Sequence, residues 1–325
     1  MLNGLRNLGN TCYFNAIVQS LSNIESFVNY MKHNIENDLI KDSKERDFAI
    51  HLRNILIAMN HVDRKIINPS RLFNEFNKHN NQETNQYNII GFNNQEDAEE
   101  ALLQVFNILH EAIKYKVDVS YNGVPKNKRD ELMVESLKHW GSYCGHSYSE
   151  VIAQFYGQFL SQTLCSNCKH SNNNFEPFLP INIQINNECR TLKQSFELFT
   201  GTEEIEGYTC DKCKHKDTSS KQLVLWKSPK ILIIVLKRFI GNVKFDQQIE
   251  FPEKMNISDY VKGYDTDNSH YVINSVIEHQ GQVDYGHYIC YCRKKDGYYK
   301  FNDDHIEKVS DLKSAQAYIL IYDKI

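Results

Sequence analysis

Cys12 lies in the run Gly4-Leu5-Arg6-Asn7-Leu8-Gly9-Asn10-Thr11-Cys12-Tyr13-Phe14-Asn15, where a Gly- and Asn-containing loop passes into an apolar periodic segment. Phe14, Ile17, Val18, Leu21 and Ile24 recur at the spacing of one buried helix face, and Asn10 or Thr11 is placed to cap its start. The thiol is therefore expected on the first helical turn, where unpaired N–H groups favour thiolate over thiol. That makes Cys12 a candidate nucleophile. Many cysteines on helices are inert packing groups, so the assignment needs a base.

A base is available in Asp284-Tyr285-Gly286-His287-Tyr288-Ile289-Cys290-Tyr291-Cys292, whose alternating aromatic and small apolar residues read as a strand. Lys294-Lys295-Asp296-Gly297 has turn chemistry and Tyr298-Tyr299-Lys300-Phe301 reads as the returning strand of a hairpin. Folding it brings Asn302, Asp303 and Asp304 roughly opposite His287. Nucleophile, base and orienting polar group are the three parts of an activated cysteine site. An imidazole with an ordinary pKa of about 6.5 can take and return a proton near neutrality. As one of 13 histidines, His287 carries weight only in combination with Cys12.

A second constellation is formed by Cys165 and Cys168 with Cys210 and Cys213. Two such CxxC pairs suit a tetrahedral structural zinc with all four positions filled by sulfur. His170 and His215 follow closely and could replace a cysteine, although solvated loop histidines are the more ordinary reading. A redox dithiol is the other alternative, weakened because neither CxxC opens a helix in a thioredoxin-like setting.

Together these segments resemble the ubiquitin-specific proteases, a family of papain-like cysteine proteases. The resemblance is carried, in the family's order, by the Cys12 run, by Gln95-Glu96-Asp97-Ala98-Glu99-Glu100-Ala101-Leu102, by the CxxC pairs, by Leu236-Lys237-Arg238-Phe239, and by Gly286-His287-Tyr288. It implies an α+β fold: a papain-like cysteine protease with a helical thumb, a β-sheet palm and zinc-tipped antiparallel β fingers. One catalytic domain over 1–325 is expected, with thumb 1–118, connector 119–154, fingers 155–225 and palm 226–325. The implied activity is hydrolysis of peptide or isopeptide bonds after the C-terminal glycine of ubiquitin.

The family pattern also assigns residues. Cys12 and His287 become nucleophile and base, and Asn7, five residues before Cys12, matches the oxyanion-stabilising asparagine. Asn10 is a competing choice better suited to a cap. Asn302 stands where the family uses Asn or Asp to orient the histidine, with Asp303 as a second polar partner. Asp97 and Glu100 match carboxylates that line the channel for ubiquitin's C-terminal tail, although acids are common in a first helical turn. Gly286 and Tyr285 end a loop expected to close over that tail. Ala101 and Tyr285 depart from the pattern, which usually has a bulky aromatic at the first position and a small residue at the second.

Composition fits this reading without producing it. The chain has 325 residues, 41% of them hydrophobic, enough to bury a large core. A net charge of -4 carries no polyanion-binding signature, so nucleic acid is not an expected partner. The start lacks the regions of a signal peptide, and the aliphatic run Ile231 to Leu236 is far short of the roughly 20 residues that span a bilayer. Nine cysteines, an odd number with four in CxxC pairs, fit a reducing compartment. An intracellular protein, cytoplasmic or nuclear, with no membrane partner is expected. It should act as a monomer on ubiquitin and ubiquitinated proteins, with no auxiliary domain. The rivals are a protease of a ubiquitin-like modifier, a catalytically silent ubiquitin-binding module, and a zinc-dependent nucleic-acid binder, for which no basic aromatic face is evident.

Overall fold

The segment Cys12–Leu21 is helical, and in the computed structural model of the chain all 10 of its residues are buried. The structure describes every residue except 1, 62–64, 84–95, 121, 187, 242, 265, 283–284 and 313; Gln95 and Asp284, invoked above, lie outside the described residues. One-sided amphipathicity is thus an incomplete description of this helix. It is packed against the strand Gly286–Lys294 on one side and the helix Ala98–Ile113 on another. Some of its buried polar groups are bonded: the Ser20 hydroxyl donates to Ala16 O at 2.9 Å, and the Asn15 amide donates across to Asp303 Oδ1 at 2.7 Å. The expected side-chain cap is also absent. Thr11 is the N-cap but its hydroxyl bonds backward into the loop, accepting from Leu8 N and donating to Asn7 Oδ1.

The chain divides its secondary structure as an α+β fold. The described helices before residue 120 are Cys12–Leu21, Glu25–His33, Ile35–Asp38, Arg46–Met59, Ser70–Glu83 and Ala98–Ile113. Lys128–Cys144 and Glu150–Phe155 follow before the first long strand. Two sheets then dominate. The larger has eight strands, in the order His305–Val309, Gly297–Asn302, Gly286–Lys294, His270–Gly281, Ala317–Lys324, Ile231–Lys237 and Ile181–Gln184, with Lys254–Asn256 also paired to His270–Gly281. The smaller orders Ser171–Phe178, Gly157–Cys165, Lys216–Lys227 and Thr202–Thr209, all antiparallel.

Burial on both faces explains the uninterrupted aliphatic run of Ile231–Lys237. Ile231, Ile233 and Val235 join the core shared with the N-terminal helices, whereas Leu232, Ile234 and Leu236 join a second core that includes Leu192 and Phe196 from the helix Leu192–Phe199. The strand His270–Gly281 departs from simple alternation. Its pairing shifts between Ile273 and Ser275, so Val276 falls in the same core as Tyr271 and Ile273 while Ile277 faces the helices. An extra residue in one strand exchanges the faces of everything beyond it.

The Cys12 helix is locked in the helical core by Phe14, whose ring lies 5.3 Å from Phe73 and 5.0 Å from Phe76 between centroids. No described helix is long and apolar enough to cross a membrane. Phe14→Ala should cost about 3–5 kcal/mol of stability, as for other aromatic truncations in packed cores. Urea unfolding followed by circular dichroism checks this, with a lower midpoint at unchanged slope as the expected outcome.

Candidate active site

The loop before the helix turns sharply because Gly9 and Asn10 both adopt left-handed backbone conformations, with φ of 99° and 50°. Asn7 organises this loop: its Oδ1 accepts from Gly9 N at 2.9 Å, Thr11 N at 3.3 Å and the Thr11 hydroxyl at 3.2 Å. Cys12 follows at the helix start and is only 3% exposed.

His287 arrives from the other end of the chain on a rigid strand. Its neighbours are registered by Gln280↔His287 on one side, and the returning strand pairs Cys290↔Phe301 before ending at Asn302. The ring Nε2 meets Asn302 Oδ1 at 2.5 Å, and Cys12 lies near enough to act on the same imidazole. An amide oxygen can only accept, so this contact puts a proton on Nε2 and leaves Nδ1 as the nitrogen available to the thiol. The neighbouring Cys12, supported by Asn302, outweighs burial and raises the His287 pKa to about 9. His279, one register position away, is pushed down to about 4 by burial and then by the Lys244 ammonium. The two histidines therefore do not compete as bases near neutrality.

Asp303 lies farther from the ring, with its Oδ2 at 4.0 Å from His287 Nε2. Its carboxylate instead accepts from Asn7 Nδ2 at 2.8 Å and from Asn15 Nδ2 at 2.7 Å, and its backbone carbonyl accepts from Leu5 N at 3.0 Å. The residue sits at φ 54° in the turn joining Gly297–Asn302 to His305–Val309. Asp303 thus bridges the histidine hairpin to the loop and helix that carry the thiol. Asn15 was not singled out from the sequence; its place one helical turn after Cys12 was the available signal.

Asp97 and Glu100 behave differently from each other. Asp97 caps the helix Ala98–Ile113, accepting from Glu99 N at 2.7 Å and Glu100 N at 3.2 Å, and also accepts from the Tyr318 hydroxyl at 2.7 Å. Burial raises its carboxyl above the usual range despite those bonds. Glu100 is exposed on the first turn. The same helix start lies beside the histidine strand, where Asp97 is among the groups that raise the Tyr288 pKa after burial. Tyr285 stands 68% exposed, and Gly286 has no room for a side chain: a Cβ there would lie 2.1 Å from His279 Nε2 and 2.5 Å from Gln280 O.

The four cysteines converge at the tip of the smaller sheet. Each pair forms the same knuckle: Cys165 N donates to His170 O and Cys210 N to His215 O, both at 3.0 Å, with Lys169 and Lys214 at φ 56° and 55°. Cys165 Sγ lies 3.8 Å from Cys213 Sγ, Cys168 Sγ lies 3.7 Å from Cys210 Sγ, and all four sulfurs fall within 4.8 Å of one another. A tetrahedron of sulfurs about 2.3 Å from a central ion has edges of about 3.8 Å, so the cluster fits a metal ion. The Cys213 N–H helps pull the Cys210 thiol down to about 6. His215 turns instead toward Asp217, 3.5 Å away. All nine cysteines are free thiols.

Comparison with known proteins places these features in a wider set. The family model described as ubiquitin carboxyl-terminal hydrolase matches residues 3–322. Ubiquitin carboxyl-terminal hydrolase 21 of Homo sapiens is 27% identical over 351 residues, covering 98% of this chain and 61% of that protein. Ubiquitin carboxyl-terminal hydrolase Usp2 of Drosophila melanogaster is 28% identical over 338 residues, covering 99% of this chain and 34% of that protein. The chain therefore spans less than two thirds of these relatives. A chain of the SAGA Ubp8/Sgf11/Sus1/Sgf73 DUB module bound to ubiquitin aldehyde superposes with a TM-score of 0.75 at 26% identity, covering 100% of this chain and 70% of that one.

The raised His287 pKa has a defined pH consequence. Because the folded value lies above the ordinary 6.5, the protonated ring favours the folded state; that contribution is complete below about pH 6.5 and is lost as pH rises through about 9. NMR titration of the ring should give a midpoint near 9, falling back toward the ordinary value in Cys12→Ala.

Proposed function

The chain belongs to the ubiquitin carboxyl-terminal hydrolase family, and on that premise we propose that it is a deubiquitinase cleaving peptide or isopeptide bonds after the C-terminal glycine of ubiquitin. The observation that carries this reading is the His287 imidazole bonded to Asn302 and set beside Cys12, whose neighbourhood raises its pKa. Ubiquitin is favoured as the modifier because the SAGA relative is bound to ubiquitin aldehyde, whose reactive group stands where a scissile carbonyl would.

In this mechanism the raised pKa of His287 lets Nδ1 hold the proton given up by Cys12, and the sulfur attacks the carbonyl of the terminal glycine as a thiolate. The resulting oxyanion is met by the Cys12 backbone N–H and by the amide of Asn7. Asp303 already holds one hydrogen of that amide, which fixes the direction of the other. His287 then returns its proton to the leaving amine, a thioester forms on Cys12, and water activated by the same ring releases the ubiquitin carboxylate. Asn302 orients the ring throughout. The exposed Glu100 carboxylate serves as partner for a basic tail residue, and Tyr285 and Gly286 border the passage for consecutive glycines. Asp97, whose oxygens are engaged at the helix start, shapes that wall more than it neutralises charge.

Zinc is the metal we assign to Cys165, Cys168, Cys210 and Cys213, where four sulfur ligands leave no catalytic position and the ion would tie the tips of two hairpins together. We read residues 1–118 as thumb, 119–154 as connector, 155–225 as fingers gripping the body of ubiquitin, and 226–325 as palm. We read the compartment as reducing, cytoplasmic or nuclear, and the working unit as a single copy.

Ubiquitin carrying a C-terminal electrophile should form a covalent adduct with the protein and none with Cys12→Ala. Lack of an adduct with the unsubstituted protein would remove the activity, and preferential reaction of a ubiquitin-like probe would reassign the substrate. Asn7→Ala should lower kcat by about 10²-fold, the usual loss for one oxyanion donor, with little change in KM. Metal analysis should find one zinc per chain, lost in Cys210→Ser together with thermal stability of the finger sheet.

A further inference from the structure

The strand His270–Gly281 is longer than one of its neighbours. Its pairing with Ala317–Lys324 ends at Glu278↔Ala317, whereas its pairing with the His287 strand continues to Gly281↔Gly286. On the abandoned edge, alternate residues turn their backbone groups outward. His279 N finds Gln316 O at 3.2 Å, but the carbonyls of His279 and Gly281 have outrun the neighbouring strand. Leaving such groups unpaired in a partly buried place is unfavourable.

Lys244 supplies what the missing strand would. Its Nζ donates to His279 O and Gly281 O, each at 2.8 Å, and to Gln316 Oε1 at 3.2 Å. The lysine side chain is 2% exposed, although Asp246, 3.4 Å away, is 58% exposed. Burying an ammonium this far is unusual unless its protons are used, and here three acceptors converge on it. The chain around it is itself anchored. Arg238 donates to Phe245 O at 2.7 Å and Gln247 O at 2.8 Å on the far side of Lys244, and to Ala317 O at 2.6 Å. Phe239, paired across the short hairpin with Lys244, packs edge-on to His279 at 5.2 Å between centroids.

We infer that Lys244 is a positioning residue for substrate binding: its ammonium completes the unpaired edge at Gly281 and so fixes Tyr285 and Gly286 at the passage for the substrate tail. This rests on the proposed reading of Tyr285 and Gly286 as the border of that passage. Gly281, at φ 103°, begins the reversal, and Gln282 N donates to Tyr285 O at 2.8 Å to close it. The two ends of the reversal are thus held from one side by strand pairing and from the other by the ammonium. The ammonium itself touches none of Cys12, His287 and Asn302. Loss of the ammonium should therefore weaken substrate capture while leaving the thiol–imidazole pair intact.

The test is steady-state hydrolysis of ubiquitin bearing a fluorogenic C-terminal amide, together with alkylation of Cys12 by iodoacetamide across pH. Lys244→Met should raise KM about tenfold and keep kcat within about twofold, consistent with loss of charge-assisted hydrogen bonds. Its alkylation profile should match the unsubstituted protein, and Lys244→Arg should recover part of the KM. Should Lys244→Met fail to fold, Gln316→Ala removes one partner of the ammonium without stranding a carbonyl, and a rise in KM of about threefold is expected. An unchanged KM in the folded variant, a fall in kcat alone, or a shifted alkylation profile overturns the inference. No turnover by the unsubstituted protein overturns the substrate reading and this inference with it, whereas turnover with an unchanged KM in the variant overturns only the role of Lys244.

Discussion

A thiol at residue 12 and an imidazole at residue 287 meet because the Cys12 helix is buried against the strand that carries the histidine. His287 is fixed by the Asn302 oxygen 2.5 Å away, and Cys12 is close enough to raise the pKa of the ring. Everything that sets the helix against the sheet therefore sets the distance between sulfur and nitrogen. Phe14 wedges the helix among Phe73 and Phe76, and Ser20 Oγ lies 3.1 Å from Cys290 Sγ on the histidine strand. Protein interiors packed this tightly transmit displacements instead of absorbing them, so the core belongs to the geometry of the site.

Asp303 shows how one carboxylate can serve that geometry without touching the thiol. It gathers the amides of Asn7 and Asn15 while its backbone holds Leu5. The turn that supplies the histidine's partner Asn302 is thereby joined to the loop that leads into Cys12. Each amide is a neutral donor to a charged acceptor, stronger than an ordinary neutral pair. The left-handed conformation at Asp303 is maintained by these contacts from several directions.

The proposed passage for the substrate tail follows the same logic. The helix start at Asp97 is capped from within and bonded by the Tyr318 hydroxyl, so one of its walls is fixed to the sheet. The opposite border, Tyr285 and Gly286, depends on a strand that has run past its neighbour and on a buried ammonium that stands in for the missing partner. At the far tip of the smaller sheet, two knuckles of identical backbone form bring four sulfurs to the spacing of a tetrahedral ion. Such a tip needs an external tie because its strands bury little apolar surface.

Much of this was legible in the residues alone. The Cys12 run, the His287 hairpin with its Lys294–Gly297 turn, the doubly buried Ile231–Leu236 strand and the CxxC pairs are local patterns, and local patterns report helix periodicity, turn chemistry and metal-ligand type. What they could not report is how segments nearly 300 residues apart come into contact. Sequence placed Asn302 and Asp303 side by side as alternatives; only the turn between strands decided that one faces the imidazole and the other reaches back to Asn7 and Asn15. It likewise treated Asp97 and Glu100 as equivalent, although helix capping and Tyr318 engage the first and leave the second exposed. Lys244 carried no signal at all, since a lysine at the end of a short hairpin ordinarily reads as solvated. Its burial arises from the unequal lengths of two strands that are adjacent in the sheet and distant in the chain, a relation that exists only once the tertiary structure has formed.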